Sequence, residues 1–290
     1  MNDEHAQATP RSLIVTLYGA YGRGGAETSG GRPPGPVPVA ALIRLLGVLG
    51  VDPPSVRSAV SRLKRRGLLV PERTPAGAAA YGLSDAGRQL LADGDRRIFG
   101  RPAGPPQGWV LAVFSVPEEE RHKRHLLRSR LARLGFGTAA PGVWIAPAHL
   151  YEETRHTLER LQLADYVDLF TGDHAGFTPT AQAVARWWDL DALAARHRAF
   201  LSVHEPVLAR WTRRRTLPPE AAYHDYLLAL DAWRRLPYAD PGLPPHLLPA
   251  GWPGGRAAEV FARLHSRLRD AGARYAHEAM AGPHRTQDTG

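Results

Sequence analysis

Within residues 55–67 (SVRSAVSRLKRRG), apolar side chains stand only at Val56, Ala59, Val60 and Leu63. That i, i+3, i+4, i+7 spacing makes one narrow stripe on an α-helix and no continuous face on a strand. The segment must therefore bury the stripe and turn everything else to solvent. What it turns outward is Arg57, Ser58, Ser61, Arg62, Lys64 and Arg65, long cations and small hydroxyls of the kind that reach phosphates and base edges. A lone basic helix is most often a solvated face, so its neighbours decide what it is for.

Residues 11–21 (RSLIVTLYGAY) read as a short buried helix, and residues 39–49 (VAALIRLLGVL) as a second. Gly50, Val51 and Asp52 then form a turn, with Asp52 placed to cap the next helix and Pro53 at its first position. After Gly67, the short apolar stretches 68–70 and 80–83 flank a turn at 71–79 containing Arg73, Pro75 and Gly77, which predicts a two-stranded wing. Two helices, a turn, a basic helix and a hairpin are the outline of a winged helix-turn-helix, whose second motif helix enters the major groove of double-stranded DNA. Ser55, Arg57, Ser58, Ser61, Arg62, Lys64, Arg65 and Arg73 are the candidate DNA contacts. The Gly/Pro-rich residues 22–36 are longer than most helix connections. They are no phosphate-binding Walker loop, because the chain has no lysine before Lys64.

The charge supports that placement. The 290-residue chain carries a net +9, and residues 1–107 hold 14 Arg and Lys against 8 Asp and Glu, whereas the longer remainder holds 23 against 20. A cationic excess raises affinity for a polyanion independently of its sequence. Of the 37 basic residues 35 are Arg, so charge alone does not decide the matter. The absence of cysteine excludes disulfides, thiolate metal sites and a cysteine nucleophile. No apolar run approaches a membrane span and the polar start lacks the layout of a secretory signal, so a cytoplasmic protein without membrane contact is expected.

Residues 90–108 turn polar and then rich in Pro and Gly, which predicts a linker. Beyond it come a strand at 109–116, a charged helix at 118–134, strands at 136–140 and 143–146, a helix at 151–161 and a strand at 166–171. This β-α-β-β-α-β order is that of a ferredoxin-like fold. His122 and His125 lie one turn apart but among Arg121, Lys123 and Arg124, and without a third ligand they are expected to be a solvated face and no metal site. From residue 180 the pattern is helical (180–188, 190–205, 221–236, 256–278), with most of its many aromatics expected in the core. The expected fold is thus α+β and multidomain. A disordered tail (1–10) precedes a winged helix-turn-helix domain (11–89), the linker, a ferredoxin-like middle domain (109–175), a mostly helical C-terminal domain (176–278) and a second tail (279–290).

Three segments resemble the PaaX family of repressors of aromatic-acid degradation: VPVAALIRLLGVLGVDPPSVRSAVSRLKRRGLLV at 37–70, GFGTAAPGVWIAP at 135–147, and WRRLPYADPGLPPHLLPAGWPG at 233–254. The order is that of the family, and residues 22–36 are the departure from it. The resemblance implies a regulator that represses transcription as a homodimer, paired through the middle domain, and is released by an acyl-CoA effector such as phenylacetyl-CoA. Such a ligand needs Arg donors for its phosphates and an apolar pocket for its acyl end. Arg234 and Arg235 are the candidate donors, and Trp233, Tyr238 and Trp252 the candidate lining. Arg234 could equally pair with Asp231 or Asp240. The middle domain also resembles a small CRISPR-associated nuclease, in which an aspartate at the end of the first strand binds metal. Here that position is Ser115, and a hydroxyl cannot replace a carboxylate for magnesium. No catalytic motif or cofactor signature is present, so no enzyme and no cofactor is expected. A metal-dependent nuclease is the weaker alternative, and the same architecture with an unrelated small-molecule ligand is indistinguishable by sequence.

Overall fold

A computed structural model describes residues 8–23, 35–100 and 108–281. The fold is mixed α+β, with two sheets whose strand pairs are all antiparallel. The chain divides into two compact units, one formed from Met1–Arg96, Ser202–Trp233 and Ala258–Gly290, the other from Arg97–Leu201 and Arg234–Ala257. Among the described residues, no helix is long and apolar enough to cross a membrane.

The first unit opens with α1 (Pro10–Tyr21), capped by the Thr9 hydroxyl, which accepts from the Ser12 amide. A two-residue strand β1 (Val37–Pro38) leads into α2 (Val39–Gly47) and α3 (Pro53–Arg65). Strands β2 (Leu69–Arg73) and β3 (Ala79–Leu83) pair from Leu69↔Leu83 to Arg73↔Ala79, and β1 adds to the free edge of β3. Helix α1 packs on both α3 and α9 (Pro219–Trp233). Its buried residues are Leu13, Ile14, Thr16, Leu17, Tyr18 and Tyr21. Two of its hydroxyls, Ser12 Oγ at 2.5 Å and Thr16 Oγ1 at 2.8 Å, donate to the carboxylate of Asp231 on α9, which is 1 % exposed. A buried carboxylate is tolerated only when its oxygens are met in this way. On the opposite side the Tyr18 hydroxyl donates to the Tyr81 carbonyl of β3 at 2.7 Å.

In the second unit, β4 (Trp109–Phe114), β5 (Gly137–Ala140), β6 (Val143–Pro147) and β7 (Val167–Gly172) form a sheet in the order β5-β6-β4-β7. Two helices, α5 (Arg121–Arg133) and α6 (Tyr151–Arg160), connect β4 to β5 and β6 to β7. Strand periodicity sorts β4: Val110 and Ala112 join Leu127, Leu131 and Leu158 in one core, whereas Trp109 joins Val184, Trp188, Leu190 and Leu243 in another. The second core rests on α7 (Thr180–Trp187). Gly137 permits this approach, since a Cβ there would lie 2.6 Å from the Trp187 carbonyl oxygen.

The structure departs from the sequence expectations at several boundaries. Residues 90–98, expected in the linker, continue α4 (Asp85–Ile98), because Leu91 falls on the apolar stripe and is buried. Arg97, read as linker, is 7 % exposed, and its Nε–H donates to Glu153 of α6 at 2.8 Å. Its two terminal nitrogens donate to the carbonyls of Leu134 and Pro237, and the guanidinium lies 5.2 Å from the Tyr238 ring centroid. Helix α8 (Leu190–Thr212) was expected to stop at 205, before Pro206, but continues to Thr212. A mid-helix proline costs about 3 kcal/mol, and burying Leu208 and Trp211 on the following turns offsets it. The expected helix 221–236 is α9, which ends at Trp233, followed by the short α10 (Leu236–Ala239). The last helix, α11 (Gly254–Ala281), exceeds its expected range at both ends, so residues 279–281 of the expected tail are helical, and Thr9 and Pro10 belong to the start of α1. Residues 1–7 and 282–290 of the expected tails, and residues 24–34 and 101–107 of the expected loop and linker, lie outside the described residues.

Burial lowers the pKa of His204 in α8 to about 4, against an opposing pull from the Asp225 carboxylate. The unfolded chain, with an ordinary histidine near 6.5, takes up the proton more readily. Stability from this residue is therefore complete above about 6.5, falls as the pH drops, and levels off below about 4. The loss is about 3 kcal/mol at ~1.4 kcal/mol per pKa unit. Urea unfolding of His204→Leu across this range should show a flatter slope than the parent. Some slope should remain, because burial lowers His149 and His265 as well.

Candidate nucleic-acid interface

The turn from α2 to α3 is built on Gly50, at φ +78°, and closed by the Val51 amide donating to Leu46 O at 3.1 Å. Asp52 then caps α3, its carboxylate accepting from the Ser55 amide at 2.8 Å. These hydrogen bonds hold the Asp52 carboxyl below its ordinary pKa. Pro53 takes the first helical position, where its missing N–H costs nothing. At the other end Gly67 turns the chain at φ +69°, its amide donating to Lys64 O at 2.9 Å, while the Leu68 amide donates to Leu63 O at 3.0 Å. Both ends of the basic helix are thus fixed by backbone geometry.

Val56, Ala59, Val60 and Leu63 are the buried residues of α3. Arg57, Ser58, Ser61, Arg62, Lys64 and Arg65 are all exposed, and Ser55 is half-buried at the first turn. Among the described residues, no side chain of Arg57, Arg62, Lys64, Arg65 or Arg66 makes a hydrogen bond or ion pair. Other cations of the same unit are engaged: Arg23 with Asp95 at 2.6 Å, Arg88 with Asp85 at 2.7 Å, Arg96 with Asp93 at 2.6 Å and Arg210 with Asp225. No acid on α3 screens its own row, since the helix sequence PPSVRSAVSRLKR contains none. Arg66 is the cation that sequence reasoning missed. It follows the last helical residue and extends the Lys64, Arg65 run, which was its only signal.

Arg73 stands apart from this group at the end of β2, where Nη1 donates to Gly77 O at 2.8 Å across the turn. That turn is held internally, with the Thr74 amide donating to Ala78 O and the Gly77 amide to Thr74 O. One face of the Arg73 guanidinium is therefore spent on shaping the turn, while the side chain stays exposed.

The candidate effector residues fall in both units. Trp233, in the first unit, stacks on Phe261 with ring centroids 4.9 Å apart at 12°. Arg234, Arg235, Tyr238 and Trp252 belong to the second unit and are half-buried. Tyr238 lies under the Arg97 guanidinium, and Trp252 meets the His197 ring edge-on at 6.0 Å. His197 in turn pairs through Nε2 with Asp240 at 2.8 Å. Ser115, at the end of β4, donates its amide to Tyr166 O, and His122 and His125 are exposed on α5. Among the described residues, no group of three or more acidic or histidine side chains is placed to hold a metal ion.

Three family models match in succession: PaaX-like protein over residues 9–87, PaaX protein central Cas2-like domain over 104–184, and PaaX-like protein C-terminal domain over 188–278. The chain belongs to the PaaX family. It is 28% identical over 273 residues to the transcriptional repressor PaaX of Escherichia coli (strain K12), covering 92% of this chain and 83% of that protein. The PaaX family is one of transcription regulators and not of enzymes. Its fold is also similar to that of a solved structure, the uncharacterized protein Rv0674 from Mycobacterium tuberculosis. There the TM-score is 0.58 at 21% identity, with 93% of this chain and 99% of that one covered.

The left-handed backbone at Gly67 generates a test of how α3 is held. No atom lies within 4 Å of a Cβ built there, so Gly67→Ala meets no clash. Its cost is the backbone conformation alone, about 1–2 kcal/mol. Urea denaturation should show that loss, and Gly67→Asn should recover part of it.

Proposed function

We propose that this chain is a DNA-binding transcriptional repressor whose α1 to α3 and β1 to β3 act as a winged helix-turn-helix, with α3 in the major groove of an operator. The observation that carries this reading is the row of cations on α3, free of acidic partners, on a helix locked to its core by Val56, Ala59, Val60 and Leu63. Leaving four or five guanidinium and ammonium groups unneutralised on one face is costly by self-repulsion and is offset when phosphates displace their counterions. The likeness to the Escherichia coli repressor supports the same reading. Arg57 and Arg62, both on the exposed side of the helix, are the candidate base readers. Lys64, Arg65 and Arg73 are the candidate phosphate contacts, with Ser55, Ser58 and Ser61 as short hydrogen-bonding groups beside them.

The remaining assignments extend this proposal. The three successive segments 11–89, 109–175 and 176–278 are read as DNA-binding, ferredoxin-like dimerisation and effector domains. Two copies would then set their α3 helices on half-sites about one helical turn apart, or a multiple of it. An acyl-CoA such as phenylacetyl-CoA is the proposed releasing effector, with Trp233, Arg234, Arg235, Tyr238 and Trp252 as its candidate contacts. Release requires different effector affinity in the DNA-competent and incompetent states. A cytoplasmic location follows from a chromosomal target.

Fluorescence anisotropy on a duplex from the promoter region of the protein's own gene tests the central reading. Arg57→Ala and Arg62→Ala should each weaken specific binding by about 1–3 kcal/mol and relax specificity at one position. Lys64→Ala should weaken specific and non-specific duplexes alike and lower the salt slope by about 1. Unchanged affinity in all three would refute α3 as the DNA-reading helix. For the effector, calorimetry with phenylacetyl-CoA should give heat, and the ligand should dissociate the operator complex.

A further inference from the structure

A second run of cations, in the other unit, is not absorbed by this reading. Helix α5 (RHKRHLLRSRLAR) contains no acid, and its buried residues are Leu127 and Leu131. The solvent side, turned away from those two leucines, carries Arg121, His125, Arg128, Ser129, Ala132 and Arg133, all exposed. Arg121 and Arg128 lie two turns apart along one line of the helix, with His125 between them, and Arg133 ends the adjoining line. Arg121 is also the first residue of α5, the end at which the helix macrodipole disfavours a cation.

Acids close to α5 are spent on its other cations. Glu118 accepts from Arg124 at 3.1 Å and Glu120 from Lys123 at 2.8 Å. Among the described residues, no side chain of Arg121, Arg128 or Arg133 makes a hydrogen bond or ion pair. Glu119, exposed just before the helix, pairs with none of the three. A face that is merely solvated keeps both signs of charge interspersed, and α6 does so: its Arg155 is met by Glu152 at 3.2 Å and Glu159 at 2.7 Å. On α5, Arg121, Arg124 and Arg128 instead follow one another at i+3 and i+4, a spacing at which like charges oppose the helix.

Three guanidiniums strung over about 18 Å of helix suit a polyanion whose charges repeat along its length better than one compact anion. Duplex DNA carries a phosphate charge for each ~1.7 Å of its axis, so such a run meets phosphates in any register. We propose that the Arg121, Arg128 and Arg133 side of α5 is a second DNA contact, which grips the phosphate backbone of the duplex and reads no bases. It rests on the reading of this chain as a DNA-binding protein, and is independent of whether α3 is the helix that reads the operator. Ser129 and Ala132, small residues among the arginines, let the backbone come close.

Fluorescence anisotropy with the full chain, on the promoter duplex and on a duplex of unrelated sequence, over about 50–200 mM salt, tests the contact. Arg121→Gln, Arg128→Gln and Arg133→Gln should each weaken both duplexes by the same factor, so that their ratio is kept, and lower the salt slope by about 1. The triple variant should lower it by about 3. Arg128→Lys should keep the parent slope, because a point charge suffices for a backbone phosphate. With no DNA present, the Tm of the triple variant should be unchanged or higher, since exposed like charges have been removed. An unchanged salt slope in the triple variant would overturn the proposal, whether its Tm is kept or lowered, and is also the result expected of a face that serves an acidic protein. Combined with Arg57→Ala and Arg62→Ala, the α5 substitutions should still lower the slope on the unrelated duplex. If the α5 variants lower the slope and the α3 variants change nothing, the α3 reading alone fails; the reverse pattern removes the α5 contact alone.

Discussion

Helix α1 is buried on two sides, and the first unit depends on that constraint. One side packs on α3, which carries the basic row, and the other packs on α9, where Ser12 and Thr16 donate to Asp231 and the Tyr21 ring meets those of Tyr223 and Tyr226. A helix buried on one face can roll to accommodate a change. One that is close-packed on two faces transmits it. A packed route from α9 to the basic helix within this unit therefore runs through α1. The Tyr18 hydroxyl ties the same helix to β3, so the sheet is held to the common element as well.

Cations in this chain serve two purposes that only their partners distinguish. Arg97 uses all its nitrogens on protein acceptors and is almost wholly enclosed; it fastens the end of α4 to α6 and to the carbonyls of Leu134 and Pro237. The α3 cations do none of this. The contrast is one of desolvation: a buried guanidinium must be met inside the protein, whereas an exposed one keeps its hydration and needs no protein acceptor. The high arginine content alone conveys neither role, because the same residue type fills both.

Much of the local structure could be read from periodicity. The stripe Val56, Ala59, Val60, Leu63 is the buried face of α3, Asp52 is its cap, and the β-α-β-β-α-β order of the second unit appears as the alternation of its patterns suggests. The failures share a cause. Pro206 and the polar stretch 90–98 look like helix ends locally, yet both lie within helices because residues on neighbouring turns, Trp211 and Leu208 in one case and Leu91 in the other, have a core to bury in. Strand β1 is two residues long and includes a proline, too short for any pattern, and exists because β3 offers an open edge.

By itself the sequence determined which face of each helix is apolar, where the caps fall, that the basic charge gathers on α3, and, through three ordered segments, the family. These follow from properties of single residues and their spacing, which the chain carries whether folded or not. Tertiary structure alone decided which arginines are spent and which are left over. Arg97 and Arg57 are alike in sequence, and it is the positions of Glu153, Leu134 and Pro237, brought close by folding, that satisfy one and leave the other exposed. It likewise gave Trp233 the Phe261 ring, Tyr238 the Arg97 guanidinium and Trp252 the His197 ring as neighbours, none of them near in sequence. Proximity in space depends on long-range packing, and no local spacing encodes it.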